Sequence, residues 1–93
     1  MVVRHIDHKV SNGKLLRIDW ALDNGKISYI RITGDFFIYP EEGITAIEDA
    51  LIGKAVLESA SVVNDAINKS NLKVIGFEAS DIQYALSKSE DIR

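Results

Sequence analysis

The fold is decided by one stretch, Ile30-Arg31-Ile32-Thr33-Gly34-Asp35-Phe36-Phe37-Ile38-Tyr39-Pro40. It begins as a β-branched run, breaks at a Gly-Asp pair, resumes with two aromatic residues and ends at the one proline of the chain. Before this stretch, apolar and polar residues alternate, which indicates strands, whereas the apolar residues after it recur with a helical period. The stretch therefore marks the point where a sheet gives way to helices.

Length and composition predict one globular domain that spans residues 1–93. Of these 93 residues, 46% are hydrophobic and 27% are charged, which is ordinary for a folded chain. No apolar run approaches the roughly 20 residues of a membrane span, and the first residues lack the pattern of a signal peptide. With no cysteine, the chain has no disulfide and no thiolate metal site. We therefore expect a cytoplasmic protein without membrane partners.

Charge is unevenly distributed along the chain. Residues 1–40 hold six Lys/Arg against four Asp, whereas residues 41–93 hold five Lys/Arg against ten Asp/Glu. The resulting net charge of −3 argues against a nucleic-acid partner, because such proteins normally carry a basic surplus.

Two Asn-Gly pairs, Asn12-Gly13 and Asn24-Gly25, each separate alternating apolar runs and predict two β-hairpins. Three-residue loops keep the apolar side chains of neighbouring strands on one face, since a one-residue slip would turn every side chain over. This register pairs Ile6 with Ile18 in the first hairpin, and Ile18 with Ile30 in the second. We therefore expect a small antiparallel sheet of three strands.

The predicted register gives this sheet one apolar face and one polar face. The apolar face, which packs against the helices, carries Ile6, His8, Leu16, Ile18, Trp20, Ile30 and Ile32. The polar face carries His5, Asp7, Arg17, Asp19, Tyr29 and Arg31. Arg17 is predicted to lie directly opposite Arg31, which is unfavourable unless negative charge intervenes. Either neighbouring aspartates form a solvated charge lattice or the two arginines contact a bound anion.

Helical periodicity follows the proline. A first helix begins near Ile44, or at Thr45 if Thr45 and Glu48 form a capping box, and stops at Gly53. A second helix carries apolar residues at intervals from position 56 to position 67. The sequence therefore predicts an α+β fold of two layers, with helices packed on one face of the sheet.

The last third of the chain is predicted to form short elements. Residues 72–75 are β-prone and form either a fourth strand or an extended segment. Ser80 and Asp81 cap a short final helix over 82–86. From Ser87 onward we expect the helix to fray into a mobile tail.

Candidate catalytic groups are scarce. His5 and His8 lie three apart on a strand and hence on opposite faces, so they do not share a metal ion. Asp35 is either a proton carrier whose pKa is raised by burial or an aspartate that stabilises a turn beside Gly34. Phe36 and Phe37 point in opposite directions, which leaves one in the core and the other on the surface. No catalytic residue and no metal site is predicted.

The sequence resembles the C-terminal accessory domain of lipoate–protein ligases over nearly its whole length. The specific block is Ile32-Thr33-Gly34-Asp35-Phe36-Phe37, preceded by the turn Lys9-Val10-Ser11-Asn12-Gly13-Lys14-Leu15. Weaker similarities lie at Ile47–Gly53 and at Ala79–Ile82. A separate chain of this type resembles the small subunit of the two-protein form found in some archaea.

The resemblance implies a non-catalytic accessory subunit, inactive alone, that acts with a large catalytic subunit. That pair would convert lipoate and ATP into lipoyl-AMP before transfer to lysines of acceptor domains. The family implies that ATP, Mg²⁺ and lipoate bind mainly in the large subunit and that acceptor domains are indirect partners. Lys9, Gly13 and Lys14 are candidates for facing the adenylation site, and Gly34, Asp35, Phe36 and Phe37 for the partner interface. The alternative is a free-standing interaction or scaffold module that has kept the fold alone.

Overall fold

A computed structural model describes residues 2–11 and 14–90. The N-terminal part is an antiparallel sheet of three strands, β1 (Arg4–Lys9), β2 (Leu15–Asp23) and β3 (Lys26–Gly34), in the order β1-β2-β3. This sheet confirms the α+β prediction.

The remaining elements form a second layer and a small ribbon. The helices are α1 (Gly43–Leu51), α2 (Ser59–Lys69), which a 3₁₀ turn at Val56–Glu58 precedes, and α3 (Ala79–Glu90). Strands β4 (Phe37–Tyr39) and β5 (Lys73–Ile75) pair with each other in a separate antiparallel ribbon. The segment at 72–75 is thus a strand, but it does not join the main sheet. None of the helices within 2–11 and 14–90 is long and apolar enough to cross a membrane.

The core lies between the apolar face of the sheet and the helices. On the sheet side, Leu16, Ile18 and Trp20 are essentially fully buried, and Ile47 and Leu86 on α1 and α3 close the other side. Complete burial of one such aliphatic side chain contributes about 1.5–3 kcal/mol. The predicted assignment of residues to two faces is confirmed by this burial pattern.

The register of the first hairpin is as predicted, whereas that of the second hairpin is not. Ile6 pairs with Ile18, but Ile18 pairs with Ile32 rather than with Ile30. The turn at Asn24-Gly25 has two residues, both with positive φ (52° and 75°), as a type I′ turn requires. The register then shifts at a bulge on the far side of this turn, between Ala21 and Leu22. The shift amounts to two residues relative to the predicted register, so each side chain stays on its predicted face.

Helix α1 begins at Gly43, earlier than the predicted capping box would place it. The carboxylate of Glu48 does not cap the helix but accepts a hydrogen bond from the backbone N–H of Ile32 at 2.7 Å. This bond satisfies an outward-facing donor on the edge of β3, where an unpaired N–H would be costly. The predicted stop at Gly53 is confirmed, since Gly53 follows the helix with a φ of 84°.

Helix α3 extends further than the sequence predicts. It begins at Ala79, so the predicted caps Ser80 and Asp81 lie inside the first turn, where Asp81 Oδ2 accepts the N–H of Glu78 at 2.8 Å. The helix does not fray after Leu86, however, because Ser89 is 1% exposed and accepts a 3.0 Å hydrogen bond from Trp20 Nε1. A buried indole N–H needs a hydrogen-bond acceptor, which explains why the polar residue Ser89 is buried in the core.

Candidate functional site

The base of the β1–β2 turn is held against the end of β3. The backbone N–H of Val10 donates to the carbonyl of Lys14 at 2.8 Å, which closes the turn. The N–H of Asp35 donates to the carbonyl of Leu15, also at 2.8 Å. Asn12 and Gly13 lie outside the described residues, so the predicted role of Gly13 stays a prediction. The two hydrogen bonds fix the start of β2 beside the Gly34-Asp35 break.

Gly34 is at this break because two strands approach too closely for a side chain. Its φ is 143°, and a Cβ atom built on it would lie 2.2 Å from the carbonyl oxygen of Leu15. Only glycine adopts such a backbone conformation without strain, and only glycine leaves room for that oxygen. The Gly-Asp break is therefore a close approach of the β2 and β3 backbones.

A second glycine fixes the orientation of the two phenylalanines. Gly76 follows β5, and a Cβ atom on it would lie 2.9 Å from Cα of Phe36. Phe36 is half-buried and packs edge-to-face on Phe77, with ring centroids 5.0 Å apart at 88°. Phe37 consequently points outward and is 68% exposed. The prediction that one ring faces the core and the other the surface is confirmed.

A shallow groove of about 450 Å³ joins the turn to the ribbon. Its lining residues come from the turn, the Gly-Asp break and the end of β5: Lys14, Asp35, Phe36, Phe37, Ile75 and Gly76. The structure thus places Lys14, a candidate for the adenylation site, beside three of the four candidates for the partner interface. Asp35 lies exposed at the rim, and its backbone makes the contact to Leu15, which favours the turn interpretation over a proton carrier.

Lys9 lies apart from this groove. It is exposed and pairs with Leu15 in the sheet, and it follows Asp7 on the polar face because side chains alternate along a strand. The candidates for the adenylation site are therefore divided between two surfaces, with Lys14 on the groove and Lys9 on the polar face.

The polar face of the sheet is a lattice of opposite charges. Arg17 Nε donates to Asp7 Oδ1 at 3.0 Å, and Asp19 Oδ1 lies 2.6 Å from His5 Nδ1. Arg31 lies opposite Asp19 rather than opposite Arg17. The predicted Arg17–Arg31 opposition is wrong, because the bulge in the second hairpin moves β3 along β2. Anion contact by these two arginines stays a prediction, whereas the ion pairs support the solvated lattice.

The sequence predicts only part of the outward face of the ribbon. Phe37 pairs with Ile75, and Tyr39 pairs with Lys73. Phe37, Tyr39 and Ile75 are 68%, 69% and 57% exposed, so three large apolar side chains stand together on the surface. The alternation of Phe37 and Tyr39 was visible in the sequence, but their pairing with β5 depends on a contact across more than thirty residues.

Within the described ranges, no three His, Asp or Glu side chains come together as metal ligands. His8 turns away from His5, as predicted, and its Nε2 lies 3.6 Å from Asp81 Oδ1 on α3. The ring of His8 also contacts Tyr84, with centroids 5.1 Å apart. These contacts tie β1 to α3.

Comparisons with known proteins show which family and fold this chain resembles. The model of a family described as the bacterial lipoate protein ligase C-terminus matches residues 4–86. Lipoate-protein ligase A subunit 2 of Thermoplasma acidophilum is 35% identical over 72 residues, which cover 77% of this chain and 76% of that protein. A chain in the solved structure of a bipartite lipoate protein ligase and its E2 lipoyl domain, also from Thermoplasma acidophilum, superposes with a TM-score of 0.72. It is 31% identical in sequence, and the match covers 92% of this chain and 93% of that chain.

Proposed function

The chain belongs to the family described as the bacterial lipoate protein ligase C-terminus, and we propose that it is the accessory subunit of a bipartite lipoate–protein ligase. Its partner in this proposal is the large catalytic subunit, in the cytoplasm. The relative in Thermoplasma acidophilum is named as subunit 2 of a lipoate-protein ligase, and this likeness supports the role. The observation that carries the proposal is the groove that Lys14 lines together with Asp35, Phe36 and Phe37.

The side chains around the turn fit a contact with nucleotide phosphates. Lys14 is exposed at the base of the turn and lines the groove, and a lysine ammonium group binds phosphate oxygens as a point charge. Across residues 2–11 and 14–90, by contrast, no cluster of carboxylates or imidazoles would hold Mg²⁺. We therefore assign the metal, the lipoate and most nucleotide contacts to the catalytic subunit.

In this mechanism the accessory subunit assists activation of lipoate by ATP. The ATP would supply the adenylyl group that makes the lipoyl carboxylate reactive. Lys14 places positive charge close to the phosphates, where negative charge must be stabilised as pyrophosphate leaves. The fixed base of the turn keeps this charge in position, and closure of the subunit over the site excludes water. Acceptor domains meet the catalytic subunit afterwards and remain indirect partners of this chain.

The test is an adenylation assay on the reconstituted pair. Lipoyl-AMP formation is measured for each subunit alone and for the mixture, with pyrophosphate release as the readout. Lys14→Ala is expected to lower the rate of the mixture about tenfold to a hundredfold while binding of the subunits persists. Lys26→Ala is a matched control, because Lys26 also follows an Asn-Gly turn but lies at the opposite end of the sheet.

Three outcomes distinguish the accessory role of the chain from the role of Lys14. A mixture that is no faster than the catalytic subunit alone would remove the accessory role and favour a scaffold module. Equal rates for Lys14→Ala and Lys26→Ala would remove the role of Lys14 and leave the accessory role intact. A loss confined to Lys14→Ala supports both.

A further inference from the structure

Exposed apolar side chains are concentrated on the outward face of the β4–β5 ribbon. Phe37 and Ile75 are direct cross-strand partners, and Tyr39 lies two residues along β4 on the same face. Other large exposed apolar residues, such as Leu57 on the 3₁₀ turn and Tyr84 on α3, lie on separate elements. Clustered exposed apolar side chains mark an interaction surface, whereas single ones are ordinary.

The ribbon is held rigidly from beneath. Ile38, between the two exposed aromatic residues, is buried in the core, and Val74 opposite it packs against the same core. Gly76 allows the end of β5 to contact the backbone of Phe36, whose ring rests on Phe77. A surface fixed in this way loses little conformational entropy on binding, which favours affinity.

We propose that this face, formed by Phe37, Tyr39, Ile75 and Lys73, is the surface that binds the catalytic subunit. The inference rests on the proposed function, and continuity identifies the occupant. The groove beside Phe37 and Ile75 is the same groove that Lys14 lines. A partner whose reaction site meets the turn at Lys14 therefore extends over the ribbon, and burial of the ribbon positions the turn.

The size of the surface fits the centre of a subunit interface. Three side chains exposed by more than half present an apolar patch of the order of a few hundred Å², whereas a stable interface buries about 800 Å² on each partner. The ribbon thus supplies the apolar centre, and the groove and the turn supply a polar rim. Phe37 is the expected anchor, because large aromatic side chains at the centre of an interface dominate affinity.

The rim carries charges of both signs. Lys14 and Asp35 line the groove at the Phe37–Ile75 end of the ribbon, and Glu41 lies near Phe37. The exposed Lys73 pairs with Tyr39 at the other end. Because these charges balance, long-range attraction contributes little, and the affinity is expected to change weakly with salt. The catalytic subunit should therefore present an apolar concavity with a rim of mixed charge.

Isothermal titration calorimetry of the two full-length subunits tests the surface. Phe37→Ala is expected to weaken Kd roughly thirtyfold or more, as for an anchor residue, and Ile75→Glu to abolish measurable binding. Leu57→Ala is the matched control, because Leu57 is 83% exposed on the 3₁₀ turn away from the ribbon. Thermal unfolding of each variant verifies that the fold is intact, which the exposure of the three side chains predicts.

The outcomes separate this inference from the function on which it rests. If the wild-type chain does not bind the catalytic subunit, the proposed function fails. If it binds and both ribbon variants bind with unchanged Kd, the proposed function stands and the ribbon surface is refuted. If light scattering shows that the chain alone forms a dimer that Phe37→Ala dissociates while heterodimer affinity is unchanged, a second copy is the occupant and the inference is overturned.

Discussion

Substitution of Gly34 by alanine is the most direct test of the close approach between β3 and the Leu15 carbonyl on β2. The added methyl group would lie 2.2 Å from the carbonyl oxygen of Leu15, about 1 Å closer than a carbon and an oxygen normally approach. Either the β1–β2 turn or the end of β3 must therefore move. Movement of either one breaks the 2.8 Å hydrogen bond between Asp35 and Leu15.

The expected destabilisation is the sum of two contributions. Holding alanine at a φ of 143° costs about 1–3 kcal/mol, and loss of the Asp35–Leu15 hydrogen bond costs about 1 kcal/mol more. The two contributions together amount to about 2–4 kcal/mol. A domain of this length is stable by about 5–15 kcal/mol, so the variant is expected to unfold at much lower urea concentration.

Gly25→Ala separates the steric contact from the backbone conformation. Gly25 also has a positive φ, 75°, but nothing lies within 4 Å of a Cβ atom built there. The expected cost is therefore about 1–2 kcal/mol, the penalty of left-handed backbone for alanine. Urea unfolding followed by fluorescence of the buried Trp20 measures both variants. If Gly34→Ala destabilises the chain by no more than Gly25→Ala does, the close approach of Gly34 to the Leu15 carbonyl does not constrain the fold.

Two further substitutions test contacts that anchor the sheet to the helices. Ser89→Ala is expected to destabilise the chain by about 1–3 kcal/mol, because it leaves the buried N–H of Trp20 without its acceptor; a melting temperature equal to that of wild type would mean that the end of α3 contributes nothing. Glu48→Ala is expected to cost about 1 kcal/mol or more by removing the acceptor of the Ile32 N–H. Glu48→Gln keeps an acceptor oxygen and should recover most of that loss in the same urea titration, and equal losses for both variants would exclude the hydrogen bond as the cause.

The sequence was sufficient where a local rule decides the outcome. The Asn-Gly pairs specify the hairpins, and strand alternation assigns Ile18 and Arg17 to opposite faces, whatever the detailed register. The register of the second hairpin was not predictable in this way, because a two-residue turn followed by a bulge and a three-residue turn both keep the apolar side chains inward. The consequence was a wrong neighbour for Arg31, and with it a wrong premise for anion contact.

Contacts between distant parts of the chain account for the other differences. Nothing near Ser89 in the sequence signals that a tryptophan almost seventy residues earlier needs an acceptor, so the end of α3 was expected to fray. The sequence does not predict the ribbon for the same reason, because Phe37 and Ile75 become neighbours only when the chain returns after two helices. The predicted interface block contains Phe37 but not Tyr39 or Ile75, which are exposed beside Phe37 on the outward face of the ribbon.

The family resemblance rests on glycine and aromatic residues. The structure shows what these residues do in the fold. Gly34 permits the end of β3 to approach the carbonyl of Leu15 closely, and the contacts of Phe36 with Gly76 and Phe77 leave Phe37 on the surface. The same few residues thus fix the position of Lys14 and create the proposed binding surface beside it. If a partner binds that surface, its position relative to Lys14 is set by backbone contacts within this chain. In the proposed function, the accessory subunit contributes by holding one charge at a defined place, and this role requires rigid geometry more than catalytic groups.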